Sequence, residues 1–115
     1  MVSQQDGALI VAPDAFFLTH RVQIADLATR YKIATMYELR DFVEAGGLIS
    51  YGARSVDLYR QGGALTGQIL MGKKPADLPV LQPTKFELAI NMKTARAFGL
   101  TISSGLLSIA DELVE

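Results

Sequence analysis

The sequence contains no cysteine. Disulfides, cysteine-based metal sites and thiol catalysis are therefore excluded, and the chain suits an oxidising or a reducing compartment equally. Histidine occurs once, at His20, with no second histidine or metal-spaced carboxylate pattern beside it, so a surface role is expected over metal ligation. No Gly-x-Ser-x-Gly elbow is present, which leaves hydrolase chemistry without a visible nucleophile; no enzyme activity and no cofactor are expected. Basic residues never cluster beyond Lys73-Lys74 and the formal net charge is −1, so no nucleic-acid footprint exists. No run approaches the roughly eighteen apolar residues that a membrane span needs, so no membrane insertion is expected. Met1 to Gly7 carries neither the basic nor the apolar segment of an export signal, and as written the chain reads as soluble and cytoplasmic.

What is present is ordinary globular composition: 115 residues, half of them hydrophobic and a fifth charged. One α/β domain over 1–115 is expected, burying about 65% of the surface of the unfolded chain. Gly7 to Val11 is an unbroken apolar run, as for a strand covered on both faces of a parallel sheet. Phe17 to Tyr31 repeats Leu18, Val22, Ala25 and Ala28 at helical spacing, and Ile33 to Met36 follows as a second strand. Strand, helix and strand within about 30 residues make a βαβ unit whose crossover is right-handed. A brief helix, Glu38 to Ala45, is expected to bury Leu39, Phe42 and Val43 and to stop at Gly46-Gly47, and Leu48 to Tyr51 is a third strand.

Ser55 is read as the N-cap of a helix reaching Met71, closed by Gly72, Lys73, Lys74 and Pro75. Its glycines 62, 63 and 67 each cost about 1 kcal/mol against alanine, and close backbone packing against a sheet or a partner is the expected compensation. Leu78 to Gln82 and Phe86 to Ile90 read as extended, with Pro79 arguing for an edge or irregular strand. Asn91 caps a short helix ending before Gly99, and Ser103 caps a final helix through Leu113.

Two patterns have bland explanations. Gly67 to Lys74 resembles a phosphate loop, but it lies within a helix, lacks the Ser/Thr and runs into Pro75. Glu38, Asp41 and Glu44, three apart, read as a solvated helix face. The more informative positions follow strand ends, where open α/β sheets place ligands. Asp14, Phe16 and Phe17 follow the first strand and would offer aromatic walls with one carboxylate for a small amphipathic molecule. Tyr37 and Arg40 follow the second, and Tyr51 and Gly52 the third. The plainer alternative keeps Asp14 as a turn former, the phenylalanines as core and the tyrosines as packing residues.

Four stretches together carry a family resemblance: Gly46-Gly-Leu-Ile-Ser-Tyr-Gly52, Leu58-Tyr-Arg-Gln61, Ile69-Leu-Met-Gly-Lys-Lys-Pro-Ala-Asp-Leu-Pro-Val80, and Pro83-Thr-Lys-Phe-Glu-Leu-Ala-Ile-Asn-Met-Lys-Thr-Ala95. With the segment back to Asp6, the chain resembles the closing third of a solute-binding protein of an ABC importer. The resemblance implies part of a two-lobed periplasmic binding protein fold: a partial Rossmann-like parallel sheet with flanking helices. It also implies a noncatalytic role in holding a small organic solute such as an amino acid, a permease as the partner of full-length relatives, and a periplasmic location.

By the same resemblance, 7–47 corresponds to the second lobe, 48–78 to a return to the first, and 79–115 to the C-terminal segment. Val11-Ala-Pro-Asp14 matches a strand end facing the cleft, Tyr37 the residue after the next strand, and Tyr51-Gly52 a hinge-side turn. Ala53-Arg54 and Ser103-Ser104 depart from the family, which tends to carry prolines there. Because the remaining two thirds would supply the opposite jaw, exposed sheet edges and uncovered helices are expected to drive a homodimer or larger homo-oligomer. The competing expectation is a self-standing cytoplasmic oligomerisation or interaction module with no solute.

Overall fold

In a computed structural model that describes residues 7–115, the expected crossover is present. Strands β1 (Leu9–Val11) and β2 (Thr35–Tyr37) lie side by side and run the same way, Leu9 opposite Thr35 and Val11 opposite Tyr37. The expectations that rest on Met1 to Asp6, the export segment among them, lie outside the described residues.

The crossover uses two helices where one was expected, α1 (Ala15–Thr19) and α2 (Arg21–Arg30). They part at His20, whose backbone leaves the helical region at φ −100° and ψ 20°. Its imidazole Nδ1 lies 2.8 Å from the Phe16 carbonyl, the oxygen to which its own N–H donates at 3.2 Å. A side chain that bonds a nearby carbonyl gives the backbone an alternative to continuing the helix. Of the apolar face expected on this helix, Ala25 and Ala28 are buried, Leu18 is partly exposed and Val22 is exposed.

Beyond β2 come α3 (Arg40–Glu44), β3 (Ile49–Ala53), α4 (Ser55–Leu70), β4 (Phe86–Asn91), α5 (Met92–Phe98), α6 (Ser104–Ile109) and β5 (Glu112–Val114). Among the described residues five strands form one sheet in the order β1-β2-β3-β4-β5, with β2/β3 and β4/β5 also parallel. The Asn91 N–H donates to the Leu48 carbonyl at 2.8 Å and the Arg54 N–H to the Lys85 carbonyl at 3.2 Å. A residue before β3 thus meets the end of β4, and a residue after β3 meets its start, so β4 runs against β3. The fold is a mostly parallel Rossmann-like α/β sheet flanked by helices, as expected.

Two strand expectations change. The β1 run was expected to be covered on both faces, yet β1 is the edge of the sheet and Ile10 is 76% exposed. The final helix, expected to reach Leu113, ends at Ile109. The Asp111 carboxylate accepts from the Leu88 N–H at 2.8 Å and the Asp111 N–H donates to the Leu88 carbonyl, which starts β5 in the ladder. Pairing with a formed neighbouring strand outweighs the helical pattern there.

The chain packs as two compact units, 7–52 with 87–115, and 53–86. In the first, α2 packs on α3 and α5. Its core is Tyr37, Phe42, Val43, Leu48, Leu88, Ala89, Ile90 and Ala95, with Ala25 and Ala28. The expected stop of α3 holds: Gly46 takes φ +108°, a conformation that glycine adopts at little cost. Phe42 and Val43 are buried as expected, whereas Leu39 is partly exposed. Asn91 caps α5, its side chain accepting from the Thr94 N–H at 3.0 Å, and Gly99 ends that helix at φ +71°.

The second unit is α4 followed by a 3-10 turn at Pro75–Asp77 and an irregular stretch up to β4. Ser55, read as the N-cap, is the first helical residue; Arg54 holds the cap position without a side-chain cap bond. No residue of α4 is buried, and a Cβ built at Gly62, Gly63 or Gly67 meets nothing within 4 Å. The close packing expected at these glycines is therefore absent among the described residues. Leu78 to Gln82, expected as extended strand, forms none: Pro79 and Pro83 offer no ladder N–H, and Val80 is 95% exposed.

Candidate functional site

Register brings the sequence-predicted residues to one end of the sheet. Val11 lies opposite Tyr37 and Tyr37 opposite Ser50. Asp14, Tyr37, Arg40, Tyr51 and Gly52 therefore all stand at or just past the carboxyl ends of three adjacent parallel strands. Because β4 is reversed, this rim also receives Glu87 from its start.

Asp14 caps α1: its Oδ1 accepts from the Phe16 N–H at 2.7 Å. Phe16 is 65% exposed, with the Phe17 ring edge-on at 6.0 Å and the His20 ring tilted against it at 4.4 Å. These three rings form an aromatic shelf at the mouth of the first strand, and phenylalanines exposed in this way are not the core residues of the plainer alternative. His20, read only as a surface residue, belongs to the shelf. The signal was available, since residues four apart share a helical face.

Tyr37 is placed differently. It is buried and stacked face to face on Phe42, with centroids 4.6 Å apart and planes 14° apart. Gly47 makes room for this stack, because a Cβ there would fall 2.6 Å from the Tyr37 ring. Among the described residues the Tyr37 hydroxyl has no partner in hydrogen-bond geometry. Burial raises its pKa above the ordinary tyrosine value, and the nearby Thr35 hydroxyl offsets part of that push. A phenol held neutral in the folded chain but free to ionise near pH 10 when unfolded contributes stability that is intact below about pH 10 and lost as pH rises beyond it. Tyr37→Phe is accordingly expected to flatten the loss of stability above about pH 10 in urea titrations across alkaline pH. An unchanged slope would contradict the burial of an ionisable phenol.

Arg40 is the hub of a charge network. Its Nη2 donates to Glu112 Oε1 at 2.8 Å while Nε contacts the other Glu112 oxygen. Nη2 also lies 3.0 Å from Glu44, and Nε 3.7 Å from Glu87. The hydrogen bond to Glu112, reinforced by the charges of the three carboxylates, raises the Arg40 pKa. One guanidinium among three glutamates leaves the cluster with excess negative charge. Glu44 fits the solvated-face reading of its helix, but Glu112 was not foreseeable because that segment read as helix. Tyr51 is 50% exposed, and Gly52 is buried against the Glu38 backbone. Among the described residues no group of three or more His, Asp or Glu is placed to hold a metal ion, and no helix is long and apolar enough to cross a membrane.

Over residues 1–114 the chain matches the family described as ABC transporter substrate binding protein. Solved structures with the same architecture include a conserved domain protein from Vibrio cholerae, 22% identical with a TM-score of 0.89 over 97% of this chain. An ABC domain in complex with L-Trp from Streptococcus pneumonia is 28% identical, with a TM-score of 0.88 over 98% of this chain. A ligand-free, open substrate-binding protein with adhesive properties from Clostridium difficile is 23% identical, with a TM-score of 0.63 over 94% of this chain. The chain spans 38% of the length of the first two and 36% of the third. No curated protein matches it.

Proposed function

The chain belongs to the ABC transporter substrate binding protein family, and we propose that it is the part of a solute-binding component of an ABC importer that supplies one wall of the solute cleft. The role is noncatalytic, and the solute is a small amino acid with an aromatic side chain. The observation that carries this reading is the exposed shelf of Phe16, Phe17 and His20 beside Asp14, at the strand ends where α/β sheets bind ligands. The ring stacking suits a flat side chain, the acidic rim suits an ammonium group, and the similar Streptococcus domain holds L-Trp.

In this reading Phe16, Phe17, Asp14 and Tyr51 touch the solute. Tyr37 and Gly52, both buried, shape the rim from beneath. Arg40, tied to three carboxylates, positions acidic groups and does not itself take a solute carboxylate. The unit 53–86 is the excursion that meets the other lobe, within the division of 7–47, 48–78 and 79–115 drawn above. A permease partner and a periplasmic location follow from the same reading.

A second reading, self-association without a solute, is favoured by Ile10 on the β1 edge at 76% exposure and by Leu70 and Met71 at 82% and 88%. One experiment separates the two: calorimetry of the chain with an amino-acid panel, alongside its mass by light scattering. Saturable heat from tryptophan, phenylalanine or tyrosine is expected, with Phe16→Ala weakening binding by about tenfold, the scale of one lost aromatic contact. Silence across the panel with a mass of two chains or more would replace the first reading by the second.

A further inference from the structure

The second unit holds a feature that the solute rim does not use. Between the first turns of α4 and the segment Pro83 to Lys85 lies a cavity of about 190 Å³, with room for several water molecules. It is lined by three cations, Arg54, Arg60 and Lys85, and by a single carboxylate, Asp57, with Gln61 and Thr84 adding polar groups. The unit as a whole carries five cations and two carboxylates, so the excess positive charge is not confined to the cavity but is concentrated there.

The arrangement is held in place. The Arg54 N–H donates to the Lys85 carbonyl at 3.2 Å, joining the two walls through backbone. Asp57 Oδ1 lies 3.2 Å from Arg60 Nη1, and Asp57 Oδ2 lies 3.7 Å from Arg54 Nε. That second oxygen is buried and has no hydrogen-bond partner among the described residues. A buried carboxylate oxygen without a donor is costly, so the cavity, with its cations grouped about one carboxylate, asks for one hydrogen to give to Asp57.

We propose that this cavity binds a small oxyanion that carries its own O–H donor, the chemistry of monohydrogen phosphate or of a phosphate monoanion ester. The guanidinium groups of Arg54 and Arg60 and the Lys85 ammonium take the anionic oxygens, and the ligand hydroxyl donates to Asp57 Oδ2. An anion of the same size and charge without the hydroxyl meets the same cations but faces Asp57 oxygen to oxygen, and it is rejected. The site is independent of the aromatic shelf, so it stands or falls separately from the solute reading.

Sodium phosphate and sodium sulfate supply the matched pair of probes, since near neutral pH both are oxyanions of similar shape but only phosphate keeps an O–H. The isotope-labelled full chain is titrated with each at fixed ionic strength and followed by amide NMR. Phosphate is expected to give saturable shifts confined to Arg54 through Gln61 and Thr84-Lys85, with sulfate at least about tenfold weaker, the worth of one charge-assisted hydrogen bond. Asp57→Asn should bring the two anions to within about twofold of each other. Arg60→Gln should weaken both while leaving the rest of the spectrum in place, because that side chain is 72% exposed. Equal responses to the two anions, phosphate binding untouched by Arg60→Gln, or shifts spread equally to Lys73 and Lys74 would each overturn the proposal. If Asp57→Asn does not fold, the comparison of anions in the native chain and in Arg60→Gln decides alone.

Discussion

Alanine at Asn91 is expected to lower the unfolding free energy by about 3 kcal/mol, read as a shift in the urea midpoint with an unchanged slope. Asn91 is 6% exposed and uses both ends of its amide. Oδ1 accepts from the Thr94 N–H at 3.0 Å and caps α5, while Nδ2 donates to the Val43 carbonyl at 3.1 Å, at the end of α3. Loss of an N-cap alone costs about 1 kcal/mol. Removing the Nδ2 donor adds the cost of a buried carbonyl left with one bond fewer, about 1 to 3 kcal/mol. Asn91→Asp keeps the cap but not the donor, so it should recover only the first part. A loss no larger than that of an ordinary surface substitution would show that α3 and α5 are not coupled through this side chain.

Gly52→Ala is expected to be of similar severity, about 3 kcal/mol at the upper end of overpacking effects, for a purely steric reason. Gly52 is buried in β3, and a Cβ there would press into the Glu38 carbonyl oxygen and lie 2.7 Å from Glu38 Cγ. The first obstacle is backbone, just past the end of β2, so relief requires β2 and β3 to separate or the start of α3 to move. Gly62→Ala in α4 is the matched control, since nothing lies within 4 Å of the added carbon. It should gain up to about 1 kcal/mol from helix propensity. Thermal unfolding of the two variants should therefore move in opposite directions. Equal midpoints would mean that β3 tolerates a side chain at position 52.

How far the sequence revealed this arrangement differs from element to element, for physical reasons. The β1-to-β2 crossover was legible because apolar runs and a helical period are local signals, and so were Gly46, Asn91 and Gly99, whose roles depend on a few neighbouring residues. The split at His20 was not, because one ring bonding to one carbonyl overrides an uninterrupted apolar period. The strand at Glu112–Val114 was hidden for a different reason: its partner lies more than 20 residues earlier, and no pattern within the segment announces that Asp111 will bond to Leu88. For the candidate site, strand-end positions gave the rim but not which side chains face solvent. Phe16 and Tyr37 both follow strands as aromatics, yet one is 65% exposed and the other 1%, because only Tyr37 has Phe42 to cover it. The acidic surround of Arg40 was missed since two of its three glutamates come from distant strands.

The Arg40 hub also has a temporal side. Arg40 and Glu112 stand 72 positions apart. During translation the guanidinium emerges with only Glu44 close by, gains Glu87 much later, and meets its shortest contact last. Until then β4 lacks its parallel neighbour on the outer side. Within this stretch the sheet can therefore close only after its last strand has been made, because Asp111 must reach back to Leu88.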